Sequence, residues 1–130
     1  MNIIFGEAVK HVPDRYTVLE LDTFYIPEVD QHVQTWAVIE KIPLNEFTTV
    51  AAYKTVHEDL IQFYRQRHWT YCEHAIEKLT GRWNGELDTF YEDLYKRVKE
   101  YQQCEPDATW TGAILKHAGM PDQSSVETHQ

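Results

Sequence analysis

The sequence predicts an α+β domain, with a small antiparallel sheet of two or three strands at its N-terminal end packed with an antiparallel bundle of three helices. Three observations predict it. Tyr16–Ile26 (YTVLELDTFYI) and Val33–Ile42 (VQTWAVIEKI) are rich in β-branched and aromatic residues. After Pro43 the apolar spacing changes from two to about 3.6 residues. Gly81 and Asn84 then stand where one helix would end and the next begin.

The two strands flank PEVDQ, a polar turn, and read as a hairpin with Asn2–Phe5 as a third strand. Placing Ile26 opposite His32 sets Leu21 against Ala37 and Leu19 against Ile39, all on one face, which becomes the core side. Glu20, Asp22 and Phe24 then share the other face with Gln34, Trp36 and Val38.

In the first helix Val50, Tyr53, Val56, Leu60, Phe63 and Tyr64 make one stripe, ended by the polar turn RQRH. Trp69, Cys72, Ala75, Ile76 and Leu79 form the inner face of the second, with Gly81 as its C-terminal cap. Asn84 is the expected N-cap of the third, with Glu86 and Asp88 in its first turn, where the helix dipole favours acids. Its stripe is Leu87, Phe90, Tyr91, Leu94, Val98 and Tyr101. Glu92–Lys96 and Asp93–Arg97 are i,i+4 pairs in the favourable order.

The hexapeptide ELDTFY occurs at Glu20–Tyr25 and again at Glu86–Tyr91. Its apolar positions satisfy both the strand and the helix period, so the flanks decide. TVL and IP favour extension in the first copy, while NG and EDLYKRV favour helix in the second. Nothing outside the six residues repeats, which rules out duplication of a functional unit.

A chain of 130 residues is long enough for one domain with one hydrophobic core. Residues 1–104 are expected to form it, 1–47 as the sheet part and 48–104 as the helical part. Residues 105–130 are a C-terminal segment. Within it TWTGAILKHAG is expected to form a short helix ending at Gly119, docked at home through Trp110 and Ile114 rather than on a partner. DQSSVETHQ is a polar tail. Two unpaired cysteines, no signal-like start and no membrane-length apolar run point to a reduced, cytoplasmic protein. The net charge of −9 argues against nucleic acid as the partner, since phosphate neutralisation needs the opposite sign.

Three groups of residues are candidates for function. Arg65, Arg67, His68 and Arg82, with Trp69 and Trp83, should gather at one end of the bundle. Arg and Trp dominate binding hot spots, so this tip is the leading partner-binding surface. The plain account is a basic turn balancing an acidic protein. Glu20 and Asp22 near Trp36 form an acidic alternative, and paired carboxylates can share acid–base work or hold a divalent ion. A strand that faces water explains them more simply. His57, Glu58, His68, Cys72 and His74 are a candidate metal set, which needs at least three of them to converge. The plain account makes Cys72 a core residue and the histidines surface or cap residues. No HExxH, paired CxxC, nucleophile triad or glycine-rich phosphate loop is present, and no cofactor is expected.

Two resemblances add to this reading. FYRQRHWTYCEHAIEKL resembles a single tetratricopeptide-like helical hairpin, with Phe63, Trp69, Cys72, Ile76 and Leu79 at its packing positions. Leu60 and Arg67 stand where that motif has glycines, and one unit implies a helical hairpin without a repeat array. Over residues 1–100, YTVLELDTF, WTYCEHAIEKL and GRWNGELDTFYEDLYKRV resemble small uncharacterised proteins of tailed phages of marine cyanobacteria. That likeness implies a phage accessory protein made in a host cytoplasm, and brings no known activity or functional residues. The leading expectation is therefore a non-enzymatic interaction protein with a protein partner, with self-association through free sheet edges as a further option. A metal-binding protein or metalloenzyme, and an acidic nucleic-acid mimic that blocks a DNA-binding protein, are the alternatives.

Overall fold

The computed structural model describes residues 2–39 and 47–116. Strand β1 (Asn2–Phe5) leads into a 3-10 helix (Gly6–His11), and β2 (Thr17–Ile26) and β3 (Gln31–Ile39) form a hairpin. Three helices follow, α1 (Phe47–Arg65), α2 (Trp69–Leu79) and α3 (Asp88–Gln103), and then a two-residue strand, β4 (Ile114–Leu115). The class is α+β. The sheet, however, has four strands in the order β1-β3-β2-β4, and β4 runs parallel to β2. The expectation of two or three antiparallel strands is corrected by this C-terminal addition.

The predicted core residues of the hairpin are right, but its register is not, and Asp22, expected on the opposite face, is turned to Arg97 of α3. Leu19, Leu21, Ala37 and Ile39 are all buried. The turn at Pro27–Asp30 sets Ile26 opposite Gln31 and Tyr25 opposite His32. Asp30 takes a left-handed backbone (φ 48°) and accepts a 2.8 Å hydrogen bond from the Tyr25 hydroxyl. A second step comes from a bulge between Glu20 and Thr23, where Leu21 and Asp22 together oppose Thr35. The buried Thr35 hydroxyl donates to the Asp22 carbonyl at 2.7 Å and pins the bulge. Beyond it Leu19 pairs with Ala37 rather than Ile39. The part of the second predicted strand past Ile39, together with Pro43, lies outside the described residues.

The helical stripes fall as read. Trp69, Cys72, Ala75, Ile76 and Leu79 are the buried residues of α2. They meet Leu60 and Tyr64 of α1, Leu87, and Tyr91, Leu94 and Val98 of α3, against the sheet residues Leu19, Leu21, Ala37 and Ile39. Gly81 follows the cap of α2 with φ +83°, the left-handed conformation expected of it. Asn84 is not an N-cap. It sits in the turn with φ 53°, and α3 starts only at Asp88. Asp88 instead reaches back to accept the Gly81 N–H at 2.7 Å, tying the two helix ends together. Arg97 turns away from Asp93 to a carboxylate on the sheet, described below.

The α1–α2 turn places Arg67 where a helix-ending glycine normally stands. Its φ is 63°, and the His68 and Arg67 N–H groups bond back to Phe63 (2.9 Å) and Tyr64 (3.2 Å), closing the last turn of α1. A non-glycine residue pays a penalty in this conformation. The guanidinium offsets it by donating to the Pro106 carbonyl at 2.7 Å and to the Asp107 carbonyl, while lying 5.3 Å from the Trp110 ring centre. Trp69 adds a 3.0 Å hydrogen bond to Glu105. Trp110 packs against Tyr64, Trp69 and Tyr101 at centroid distances of 5.2–5.7 Å.

The described part of the segment after Pro106, residues 107–116, therefore docks at home. Over residues 110–116 it is extended rather than helical, because Gly112 has φ +90° and Lys116 N–H bonds the Tyr25 carbonyl at 2.9 Å. Gly119 and the tail DQSSVETHQ lie outside the described residues. Arg67→Gly should keep the α1–α2 turn, with φ relaxed by roughly 1 kcal/mol, yet release this segment. Hydrogen exchange at Lys116 would accelerate while α2 stays protected. Unchanged protection at Lys116 would show that Arg67 does not hold the segment.

Candidate functional site

The bulge in β2 is the meeting point of the charged residues. The Glu20 carboxylate accepts from Arg65 at 2.5 Å and from Gln34 at 2.6 Å. Arg65 also reaches the Thr23 hydroxyl at 3.4 Å. Two residues on, Asp22 takes both terminal nitrogens of Arg97, at 3.0 and 3.1 Å. Burial opposes the Arg97 charge, but the Asp22 carboxylate and the Tyr64 hydroxyl beside it hold the guanidinium above its ordinary pKa. A two-point arginine–carboxylate pair is strong in such a half-buried setting, and breaking it leaves a charge stranded. The acidic pair read from the sequence is thus neutralised by α1 and α3. Trp36 pairs in register with Glu20 on one side and Ile4 on the other, and its indole N–H is buried without a partner among the described residues.

The six tip residues are dispersed by the same folding. Arg65 serves Glu20, and Arg67 and Trp69 hold the C-terminal segment. Trp69 and Trp83 are buried. Arg82 bonds the Lys78 carbonyl at 3.2 Å and covers the Tyr53 ring at 4.9 Å. His68 stays exposed, with its ring 6.3 Å from Phe63 and 5.8 Å from Tyr71, itself 57% exposed. What remains at the tip is a small aromatic patch.

The metal set does not assemble. Among the described residues no group of three or more His, Cys, Asp or Glu side chains converges. Cys72 is buried in the core, and burial pushes its thiol up to about 12. His57 is also buried, and both ring nitrogens are engaged. Nε2 lies 2.5 Å from the Glu20 carbonyl, which can only accept, so Nε2 carries the proton. Nδ1 then accepts from the Tyr91 hydroxyl at 2.9 Å, and that oxygen accepts from the Trp83 indole N–H at 2.9 Å. A one-way chain of donors thus crosses the core from Trp83 to the β2 backbone. The sequence carried a signal for it, because His57 falls on the stripe formed by Tyr53, Leu60 and Tyr64.

Two further features are open to solvent. The first is a cavity of about 390 Å³ between the β2–β3 hairpin, α1, α3 and the loop Thr111–Ala113. The second is the edge strand β1, where Ile3 and Phe5 are 49% and 58% exposed.

The His57 chain requires a neutral imidazole. Burial holds His57 below its ordinary pKa of about 6.5, outweighing the Glu20 carbonyl, which acts in the other direction. Its contribution is complete above that value. As the pH falls through it, the unfolded chain gains a proton that the folded chain does not take, and stability drops by up to about 1.4 kcal/mol per pH unit. Urea unfolding between about pH 7.5 and pH 5.5 should show this decline in the parent protein and lose most of it in His57→Gln. Equal slopes for the two proteins would refute the assignment.

No family model, curated protein or solved structure matches the chain.

Proposed function

We propose that the chain is a non-enzymatic interaction protein that binds another protein by strand addition at β1. The observation that carries this reading is the state of that edge. In the order β1-β3-β2-β4, β1 has a strand on one side only among the described residues. Its sequence, NIIF, has no charge and no proline, two devices that commonly protect an edge. Ile3 and Phe5 pair in register with Ala37 and Thr35, both buried, so they prolong the helix-facing side of the sheet beyond its covered part. An extended segment laid along β1 would gain backbone hydrogen bonds and cover both side chains, the usual mode of strand addition.

In the setting implied by the phage resemblance, the partner is a host or viral protein. The metal reading lacks a converging ligand set among the described residues, and the mimic reading loses the free carboxylates it needs. Four forms of the chain would be compared in capture from bacterial lysate at low and moderate salt. They are the parent, Ile3→Lys/Phe5→Lys, His68→Ala/Tyr71→Ala, and Glu20→Gln/Asp22→Asn. A stoichiometric partner weakened at least about tenfold by the edge variant alone, and little affected by salt, supports strand addition. A partner lost through His68 and Tyr71 moves the site to the aromatic tip. One that dissociates with salt and requires Glu20 and Asp22 restores mimicry. Either of these outcomes overturns the edge.

A further inference from the structure

We propose that the cleft under Thr111–Ala113 binds a small amphipathic carboxylate, its head on Arg65 and its apolar body on Leu21, Ile61 and Leu94. The site lies on the β2–β4 side of the sheet and is independent of the β1 edge. Its volume, about 390 Å³, falls within the range of small-molecule pockets. Leu21, Ile61, Tyr64 and Leu94 line it and are themselves buried, so the lining combines a dry apolar base with a few polar groups.

Those polar groups are unequally committed. The Asp22 carboxylate is paired at two points with Arg97. The Gln34 amide donates to Glu20, and the Thr111 hydroxyl accepts from the Ala113 N–H at 3.4 Å. Arg65 differs from all of these. Only its Nη2 is engaged, by Glu20 and Thr23. Nε and Nη1, which carry three of the five guanidinium N–H donors, have no partner among the described residues. The Arg65 side chain is 30% exposed, open to a ligand yet partly shielded from water by the cleft.

The cleft therefore has donors in surplus, which selects an acceptor. Charge assistance favours an anion over a neutral carbonyl. Glu20 and Asp22 close by oppose a doubly charged phosphate more than a single carboxylate. Gly112 turns the loop over the cleft with φ +90°, a backbone conformation that suits glycine, and its Cα side faces Arg65 Cγ and the Tyr64 and Trp110 rings.

The test titrates 3-phenylpropionate and its neutral amide into the full chain at about 0.15 M salt, read by amide NMR shifts. The acid should give saturable shifts confined to Leu21–Thr23 and Thr111–Ala113, and the amide should bind at least about tenfold more weakly. Arg65→Gln should abolish binding. Glu20→Gln removes the internal rival for the guanidinium and should tighten it. Because Arg65→Gln also strands Glu20, the Glu20→Gln variant and the acid–amide pair decide the matter if that protein does not fold. Equal affinities for acid and amide, unchanged or weaker binding in Glu20→Gln, or no saturation by about 10 mM would overturn the proposal.

Discussion

Four consecutive residues of β2, Glu20–Thr23, tie the sheet to the helices. The Glu20 carbonyl anchors the His57 imidazole of α1, and the Glu20 carboxylate anchors Arg65 at the end of the same helix. Asp22 anchors Arg97 of α3, and its carbonyl receives the Thr35 hydroxyl of β3. The bulge makes this possible, because it puts two residues where a regular strand would put one. Hydrophobic burial supplies most of the drive to collapse, but it is not directional. These polar bonds are directional, and they select one seating of α1 and α3 on β2.

That selection has an energetic side. Half-buried ion pairs add little net stability once desolvation is counted, while an unpaired partner costs far more. Alternative packings that separate Arg97 from Asp22, or Arg65 from Glu20, are therefore penalised more strongly than the native arrangement is rewarded. The same logic covers the His57 chain, where every donor has an acceptor and only one tautomer fits. The aromatic cluster of Tyr64, Trp69, Tyr101 and Trp110 completes the fold on another side and draws the C-terminal segment onto the domain.

What could be read from the sequence divides along the same line. Elements governed by periodicity were legible, and the inner face of α2 was legible residue by residue, because an apolar stripe is a local property of the chain. The core-facing residues of the hairpin followed from alternation. Its register did not, since the bulge depends on a hydroxyl of the opposite strand. The arginines that pair with Glu20 and Asp22, and the carbonyls that hold Arg67, lie 39 to 75 residues away, and no local pattern encodes them. The tip was therefore read as a surface when folding uses most of it internally. β4 was missed for a related reason. The sequence of Trp110–Leu115 suits a short helix, and the extended form is set by docking of Trp110 and a backbone bond to Tyr25.

The internal use of arginine also shapes what faces outward. Arg65, Arg67 and Arg97 are turned to acids or carbonyls of the same chain, and they belong to a set of only 12 basic residues set against 21 acidic ones. The chain as a whole remains at −9, so two copies approaching one another repel, although salt screens that repulsion beyond about 8 Å under physiological conditions. The edge strand β1 is an uncharged stretch on this acidic protein. Pairing of β1 with a second copy must work against the like charge of both domains. Pairing with a neutral or basic segment of another protein does not. Electrostatics thus favours a different protein over self-association at the same edge.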